Sequence, residues 1–442
     1  MRSAVFGLSL IVAVALASCA KPEMKPSVVP PSSVAGQTFS IIAVPDTQNY
    51  LDYTHQTASG FALDAVDQFQ GQMQYIADQS MARGGDVAFV THLGDVWQHQ
   101  TIAMDEEHKA RGFKAIYNKW FAQEVKVAPD EVTNFEMPSA AAGFRLLAEA
   151  GVPFGVVPGN HDYDAMWSAA GWQPVEDVRD VRMTAEALGI LHAGGLDNFR
   201  SVFGSGSEFF EGKPWYVASH DGGSSSAQVF NAAGYTFLHL ALDMSPTDEV
   251  IAWAEQVIQK HYGLPTILTT HDYLNAAGER KANAVVDFHR VDPKHNNAQM
   301  LWDKFVSQND QIFMVLSGHQ HGQALAVENN LDGNAVYQIL ADYQDRGQSG
   351  VEAGQPLHPM LRRPVGIGDG WLRRMRFDFS ADVPTLTVST YSSHYNVESK
   401  KLPTYAQWYR VHEQKAMSDA EFLAADNFRI DLVDFRDRFT VR

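Results

Sequence analysis

The stretch "FMVLSGHQHGQ" (313–323) decides how this chain is read. An apolar run, Phe313 to Leu316, ends in Gly318 and then in two histidines one residue apart, His319 and His321. Alternate side chains of an extended segment share a face, so the two imidazoles point the same way just past a buried strand. Packing gives no reason for that ending. Metal binding does, and so does a polar loop with two solvated histidines; this stretch alone leaves both open.

The same layout recurs along the chain. "FSIIAVPDTQ" (39–48), "VAFVTHLGD" (87–95), "PFGVVPGNHD" (153–162), "YTFLHLALD" (235–243), "PTILTTHD" (265–272) and "QIFMVLSGHQH" (311–321) are each a short, β-branched apolar run that closes on a polar cluster. Their length and composition suit buried strands. Helical spacing lies between them. Residues 62–82 place Ala62, Val66, Phe69, Met73 and Ile76 three to four apart, and 139–150, 247–260 and 298–306 look similar, with Thr247 as a hydroxyl cap. Strand–helix alternation predicts an α/β fold with helices covering sheets. After residue 334 the runs "AVYQILADY", "WLRRMRFDF" and "TLTVSTYS" follow without a clear helix and read as adjacent antiparallel strands. Segments 99–138 and 163–232 read as long irregular insertions, where substrate selectivity could reside. Within the first, "DEEHK" (105–109) reads as a solvated face. His239 and His92 read as core histidines. Asp243 is a weaker candidate for supporting the site, and Tyr50, Trp97, His99 and Tyr163 are explained by packing as well as by a pocket.

Polar clusters at the C-terminal ends of parallel strands are where open α/β sheets bind ligands. Here they offer Asp46 and Gln48, Asp95, Asn160 and His161, His271, and His319 and His321: carboxylate, carboxamide and imidazole, with no thiolate. This donor set suits Mn, Fe, Zn or Mg, and it exceeds the roughly four donors one ion needs, which argues for two divalent ions.

In order and spacing, "DTQ" (46–48), "GD" (94–95), "GNHD" (159–162), His271 and "GHQH" (318–321) resemble the five blocks of the calcineurin-like metallophosphoesterases, over about residues 39–395. "VPDTQNY", "LADYQ" and "GDGWLR" resemble a secreted bacterial branch. The resemblance implies a four-layer α/β/β/α sandwich of two mixed sheets. It implies one metal on Asp46, Gln48, Asp95 and His321, and a second on Asp95, Asn160, His271 and His319, with Asp95 bridging. It implies His161 beside the phosphate rather than on a metal, orienting it or protonating the leaving oxygen, with Asp162 orienting His161. Two cations lower the pKa of a bound water and so supply hydroxide near neutral pH for attack on phosphorus. The family usually has His at Gln48, and the second block usually ends in an acid where this chain, "GDVWQ", has Gln98. The expected reaction is hydrolysis of a phosphate ester, a monoester first. The alternatives are a phosphodiesterase or nucleotide pyrophosphatase and, in another class, a metal-dependent binding lipoprotein without turnover.

Composition narrows the partners. With 52 acidic and 34 basic residues the net charge is −18, which disfavours a sequence-independent nucleic-acid binder, since that needs a basic footprint. At the N-terminus, Met1-Arg2, an apolar run from Ala4 to Ala17 and "LASC" (16–19) form a targeting segment too short to span a membrane. It resembles a lipoprotein signal, with acylation of Cys19, the sole cysteine, and anchoring to a lipid membrane; Ala20 implies the outer membrane if the cell is Gram-negative. The expected organisation is signal 1–18, Pro/Ser-rich tether 19–37, catalytic domain 38–399 and a C-terminal extension 400–442 packed on it.

Overall fold

The computed structural model describes residues 37–101, 103–124, 128–175, 185–359 and 361–440. The signal, Cys19 and all but the last residue of the tether expected from the sequence lie outside the described residues.

Two seven-stranded mixed sheets stack face to face. Across the first, the order is Val397–Glu398, Thr385–Ser392, Trp371–Asp378, Thr38–Val44, Val87–His92 and Phe154–Val156, with Phe428–Asp431 pairing onto Thr385–Ser392. Across the second it is Gly322–Asn329, Ala335–Asp342, Ile312–Ser317, Thr266–Thr269, Tyr235–Ala241, Ser225–Ala232 and Tyr216–His220. The strands at the centre of each sheet run parallel, as in the registers Ile42↔Val90 and Leu268↔Val315. They are buried on both faces, which is why they read as unbroken apolar runs rather than alternating ones. All six predicted strands are present.

Phe39, Ile41 and Phe89 of the first sheet meet Phe237, Phe313 and Ile339 of the second between the layers. Phe39 and Phe237 lie edge to face at 5.3 Å. Burying one such side chain contributes about 1.5–3 kcal/mol. Helices Ala65–Asp78 and Met137–Glu149 cover the outer face of the first sheet through Phe69, Met73, Ile76 and Phe144. Asp248–Lys260 covers the second through Ile251, Ala254 and Ile258; Thr247 caps it, its hydroxyl accepting from the Val250 N–H at 3.4 Å. The result is the α/β/β/α layering expected from the sequence.

Two sequence readings are corrected. The strands after residue 334 do not form one adjacent set. Ala335–Asp342 joins the second sheet, parallel to Ile312–Ser317, whereas Trp371–Asp378 and Thr385–Ser392 join the first. Nor is 163–232 irregular. Ala165–Ala169 pairs antiparallel with Ala115–Ile116 on one side and Leu191–Gly194 on the other in a small third sheet, and Tyr216–His220 and Ser225–Ala232 extend the second. The turn Ala233-Gly234, with φ of 48° and 83°, has the geometry of a tight hairpin. The Ser- and Gly-rich composition hid these strands, because their pairing partners rather than their own propensity hold them.

The C-terminal segment closes the sandwich. Tyr405, Phe422, Ile430 and Phe435 enter the core between the sheets. Beneath them, buried Arg346 and Arg373 pair with Glu413 and Asp426 at 2.9 and 2.7 Å.

Candidate metal centre

The site forms where strands of both sheets end: Val44, His92, Val156, Thr269, Ser317 and Asp342 are their last residues. The loops beyond are stitched together by backbone. The Asp95 carbonyl accepts from the N–H groups of Thr47 and Gln48, both at 2.9 Å, and the Gly318 N–H donates to the His271 carbonyl at 3.0 Å. Asp95 and His319 hold φ of 53° and 66°, a left-handed conformation that costs a non-glycine residue on the order of 1–3 kcal/mol and is kept only where the surroundings demand it. The glycines of the motifs answer to space. A Cβ on Gly159 would collide with the Asp95 carboxylate, and one on Gly318 with that of Asp46.

Asp46, Gln48, Asp95, Asn160, His271 and His319 are all buried. Ligand atoms of Asp95, His271 and His319 lie within 4.8 Å of one another, with His271 Nε2 at 3.2 Å from Asp95 Oδ2 and 3.9 Å from Asp46 Oδ1. Asp46 Oδ1 accepts from the His319 N–H at 3.1 Å, and Asp95 Oδ1 from the His161 N–H at 2.8 Å. The His271 ring is set by its Nδ1–H, which donates to the Leu93 carbonyl at 2.7 Å and leaves Nε2 facing the carboxylates. Asp46 Oδ2, Gln48 Oε1, Asn160 Oδ1 and His319 Nε2 are buried without a hydrogen-bond partner. Buried polar atoms are ordinarily satisfied, so orphans of this kind converging from separate loops mark a place for a cation.

The electrostatics agree. Burial raises the Asp46 carboxyl well above its ordinary range, and Asp342 and Asp95 raise it further. Burial pushes His271 down, but Asp95 and Asp46 outweigh it and hold the imidazole up at about 10. His319 is pushed well below its ordinary value, first by burial and then by His271. The carboxylates here call for positive charge.

The remaining candidates are arranged differently. His321 is half exposed and tied by Nδ1 to Asp345 Oδ2 at 2.7 Å and by Nε2 to the Gln344 amide at 2.7 Å. Gln344 also accepts from Gln48 Nε2, so it bridges two residues of the expected first metal set. Gln48 Nε2 lies 3.3 Å from Asp95 Oδ2. Neither Gln344, the last residue of "LADYQ", nor Asp345 is among the ligands that the motif blocks imply. The signal was there, since "AVYQILADYQD" is one more apolar run ending in a polar cluster.

His161 is partly buried, and its Nδ1–H donates to the Gln98 carbonyl at 2.8 Å, which turns Nε2 outward. Asp162 makes no hydrogen bond to that ring. Its carboxylate accepts the N–H groups of Val96 (2.8 Å), Trp97 (3.3 Å) and Gly159 (2.8 Å). Buried Glu136 continues the row, accepting the N–H groups of Gln98 and His99 at 3.1 Å each and meeting His99 Nδ1 at 2.6 Å. Four successive N–H groups after Asp95 are thus held by two buried acids. Glu136, remote in sequence, supports the second block where Gln98 replaces the expected acid.

His239 and His92 are core histidines, as read from the sequence: His239 bonds Gln228 and Thr269, and His92 bonds Thr47. Tyr50, Trp97, His99 and Tyr163 are buried in packing, and Asp243 meets Ser225 rather than the site. The "DEEHK" reading is corrected, because His108 turns inward and is buried.

A calcineurin-like phosphoesterase profile matches residues 39–323. The uncharacterized protein YvnB of Bacillus subtilis is 25% identical over 308 residues, covering 68% of this chain and 18% of that protein, so the chain spans less than a fifth of this relative's length. Among solved structures, a dimetal phosphatase from Danio rerio aligns over 80% of this chain and 96% of its own at 11% identity and a TM-score of 0.36. GAP50, described as the anchor in the inner membrane complex of Plasmodium, aligns over 81% and 86% at 11% identity and 0.34. With the five motif blocks gathered at one strand-end cleft and the profile running from the first strand to beyond the last histidine, this chain belongs to the calcineurin-like phosphoesterase family.

Proposed function

We propose that this protein is a dinuclear-metal hydrolase of phosphate esters, phosphomonoesters foremost. The observation that carries the reading is the set of orphaned buried donors, Asp46 Oδ2, Gln48 Oε1, Asn160 Oδ1 and His319 Nε2, gathered around the Asp95–His271 pair. One divalent cation would take Asp46, Gln48, Asp95 and His321, and the other Asp95, Asn160, His271 and His319, with Asp95 shared. Occupation of the first set needs His321 Nε2 to exchange its bond to Gln344 for the cation. Mn, Fe, Zn and Mg all suit these oxygen and nitrogen donors. Such ions, when bound, supply Lewis-acid charge to a phosphoryl oxygen and make water a nucleophile at neutral pH.

The protein's own part is positioning and proton transfer. The carboxamides of Gln48 and Asn160 bring oxygen without charge. Two ligand carboxylates against two dications leave the site cationic, which suits an anionic phosphate group. His161, its ring fixed by the Gln98 carbonyl, presents Nε2 to the open side and protonates the leaving oxygen. Asp162 and Glu136 act by holding the Asp95 loop rather than by touching substrate.

The deciding experiment compares initial rates on p-nitrophenyl phosphate and bis-p-nitrophenyl phosphate with Mn²⁺, with Asp95→Asn as control. Faster monoester cleavage that Asp95→Asn abolishes is the expected result. Faster diester cleavage moves the assignment to a phosphodiesterase, and no cleavage despite bound metal to a binding protein. Lipid anchoring through Cys19 is proposed on the sequence alone.

A further inference from the structure

A second cluster of metal-ligating groups lies apart from the phosphoesterase site, with two of its members, His108 and His192, in the segments read as irregular. His108, His192, Asp292 and His295 each offer one ligand atom, and these atoms all lie within 4.8 Å of one another. His108, His192 and Asp292 are buried, and His295 is 8% exposed. His108 Nε2 is 3.0 Å from His192 Nε2 and 3.7 Å from Asp292 Oδ2, and His295 Nε2 is 3.9 Å from the same oxygen.

The outer nitrogens set the tautomers. His108 Nδ1–H donates to Asp105 Oδ2 at 2.8 Å, and His295 Nδ1–H to the Ser245 carbonyl at 2.9 Å. Both rings therefore turn an Nε2 lone pair inward. A carboxylate or carbonyl behind a ligating imidazole is the usual support of a protein metal site. Around the rings lie Trp167, Phe288 and Phe113, an apolar shell that keeps water out.

We infer that His108, His192, Asp292 and His295 form a structural zinc site, separate from the dinuclear centre. Three imidazole nitrogens and one carboxylate oxygen are a four-coordinate donor set for zinc, and closure by four protein ligands marks a structural rather than a catalytic ion. Asp292 also carries Arg111, at 2.6 and 2.9 Å, with Lys294 3.6 Å away. Glu107 offsets both cations, at 3.6 Å from Arg111 and 2.8 Å from Lys294, and Asp105 adds a further negative charge. One lone pair of Asp292 Oδ2 serves Arg111 and another remains for the ion.

The location gives the ion a purpose. The four ligands come from the Glu106–Ala110 helix, the Leu191–Gly194 strand and the chain beyond the Phe288–Val291 helix, and the Ser245 support comes from the loop after Tyr235–Ala241. The zinc would clasp both insertions to the second sheet. Leu191–Gly194 pairs with Ala165–Ala169, which begins three residues after Asp162, so the clasp braces the segment that leaves the phosphoesterase motif.

The test uses the whole protein with the dinuclear centre disabled by Asp95→Asn and His319→Ala, stripped of zinc with a chelator, loaded with Co²⁺ and dialysed. The expected result is one cobalt per chain, by elemental analysis, with the strong visible absorption of four-coordinate Co²⁺. Adding His295→Gln, at the cluster's edge, removes that cobalt and its absorption. No retained cobalt in the disabled protein overturns the proposal and leaves a His192–His108 hydrogen bond in its place. Cobalt that survives His295→Gln unchanged overturns it as well.

Discussion

Asp426→Asn tests whether the C-terminal segment is held by charge. Arg346 and Arg373 are fully buried between the sheets and the last helices. Glu413 faces Arg346 at 2.9 Å, and Asp426 faces Arg373 at 2.7 Å while reaching Arg346 at 3.6 Å. Two cations thus meet two anions, with the hydroxyls of Tyr343, Thr390 and Tyr405 filling the remaining lone pairs of Asp426. An Asn in its place keeps the shape and removes one negative charge, so Arg373 is left buried without an anionic partner. Breaking a buried pair from one side costs about 3–5 kcal/mol. At an unfolding entropy of about 2 cal/mol/K per residue, a body of roughly 400 residues has about 0.8 kcal/mol/K, so Tm should fall by about 4–6 °C. Differential scanning calorimetry on wild type and variant at neutral pH reads this directly. A fall below about 1 °C would refute the reasoning, because the charge would then be solvated or compensated in a way the geometry does not show.

Other consequences follow from single contacts. Asp162→Asn should lose about 1–3 kcal/mol, since an amide cannot accept from Val96, Trp97 and Gly159 together; activity should fall with it, and an unchanged denaturant midpoint with full turnover would contradict the bracing role. Asp345→Ala removes the carboxylate behind His321 Nδ1 and should weaken Mn²⁺ activation about 10–100-fold, read from the metal concentration at half-maximal rate. Burial lowers His239 to about 3, so between pH 6.5 and 3 the unfolded chain binds a proton that the native state refuses. Its contribution is therefore complete above pH 6.5 and is lost on acidification at about 1.4 kcal/mol per pH unit. His239→Asn should flatten the fall in urea midpoint between pH 7 and 5; an identical slope would remove His239 as its source. Cys19→Ser should release the protein from the membrane fraction, and retention there would argue against the anchor.

How much of this could be read without a structure depends on the range of the interaction responsible. Apolar runs such as "SIIAV" and "IFMVLS" declare buried parallel strands by composition, and the capped helix at Thr247 by period and hydroxyl. The motif residues Asp46, Asp95, Asn160, His271 and His319 could be named because each ends such a run, and ends of parallel strands meet in space. Glu136, Gln344 and Asp345 could not be assigned their roles this way, since each acts by a hydrogen bond across tens to hundreds of residues. The Ser-rich strand Ser225–Ala232 and the inward His108 escaped for a related reason: neither carries a local signature, and only neighbours supplied by distant segments bury them. Local periodicity and end-of-strand chemistry, which depend on a few adjacent residues, determined the α/β class and the ligand candidates from the sequence by itself, and the resemblance of the five motif blocks supplied the family and its four layers. The tertiary structure alone decided which sheet each late strand joins, which acids brace the Asp95 loop and which imidazoles meet in the insertions, because those depend on pairing and desolvation between segments that touch only once the chain is folded.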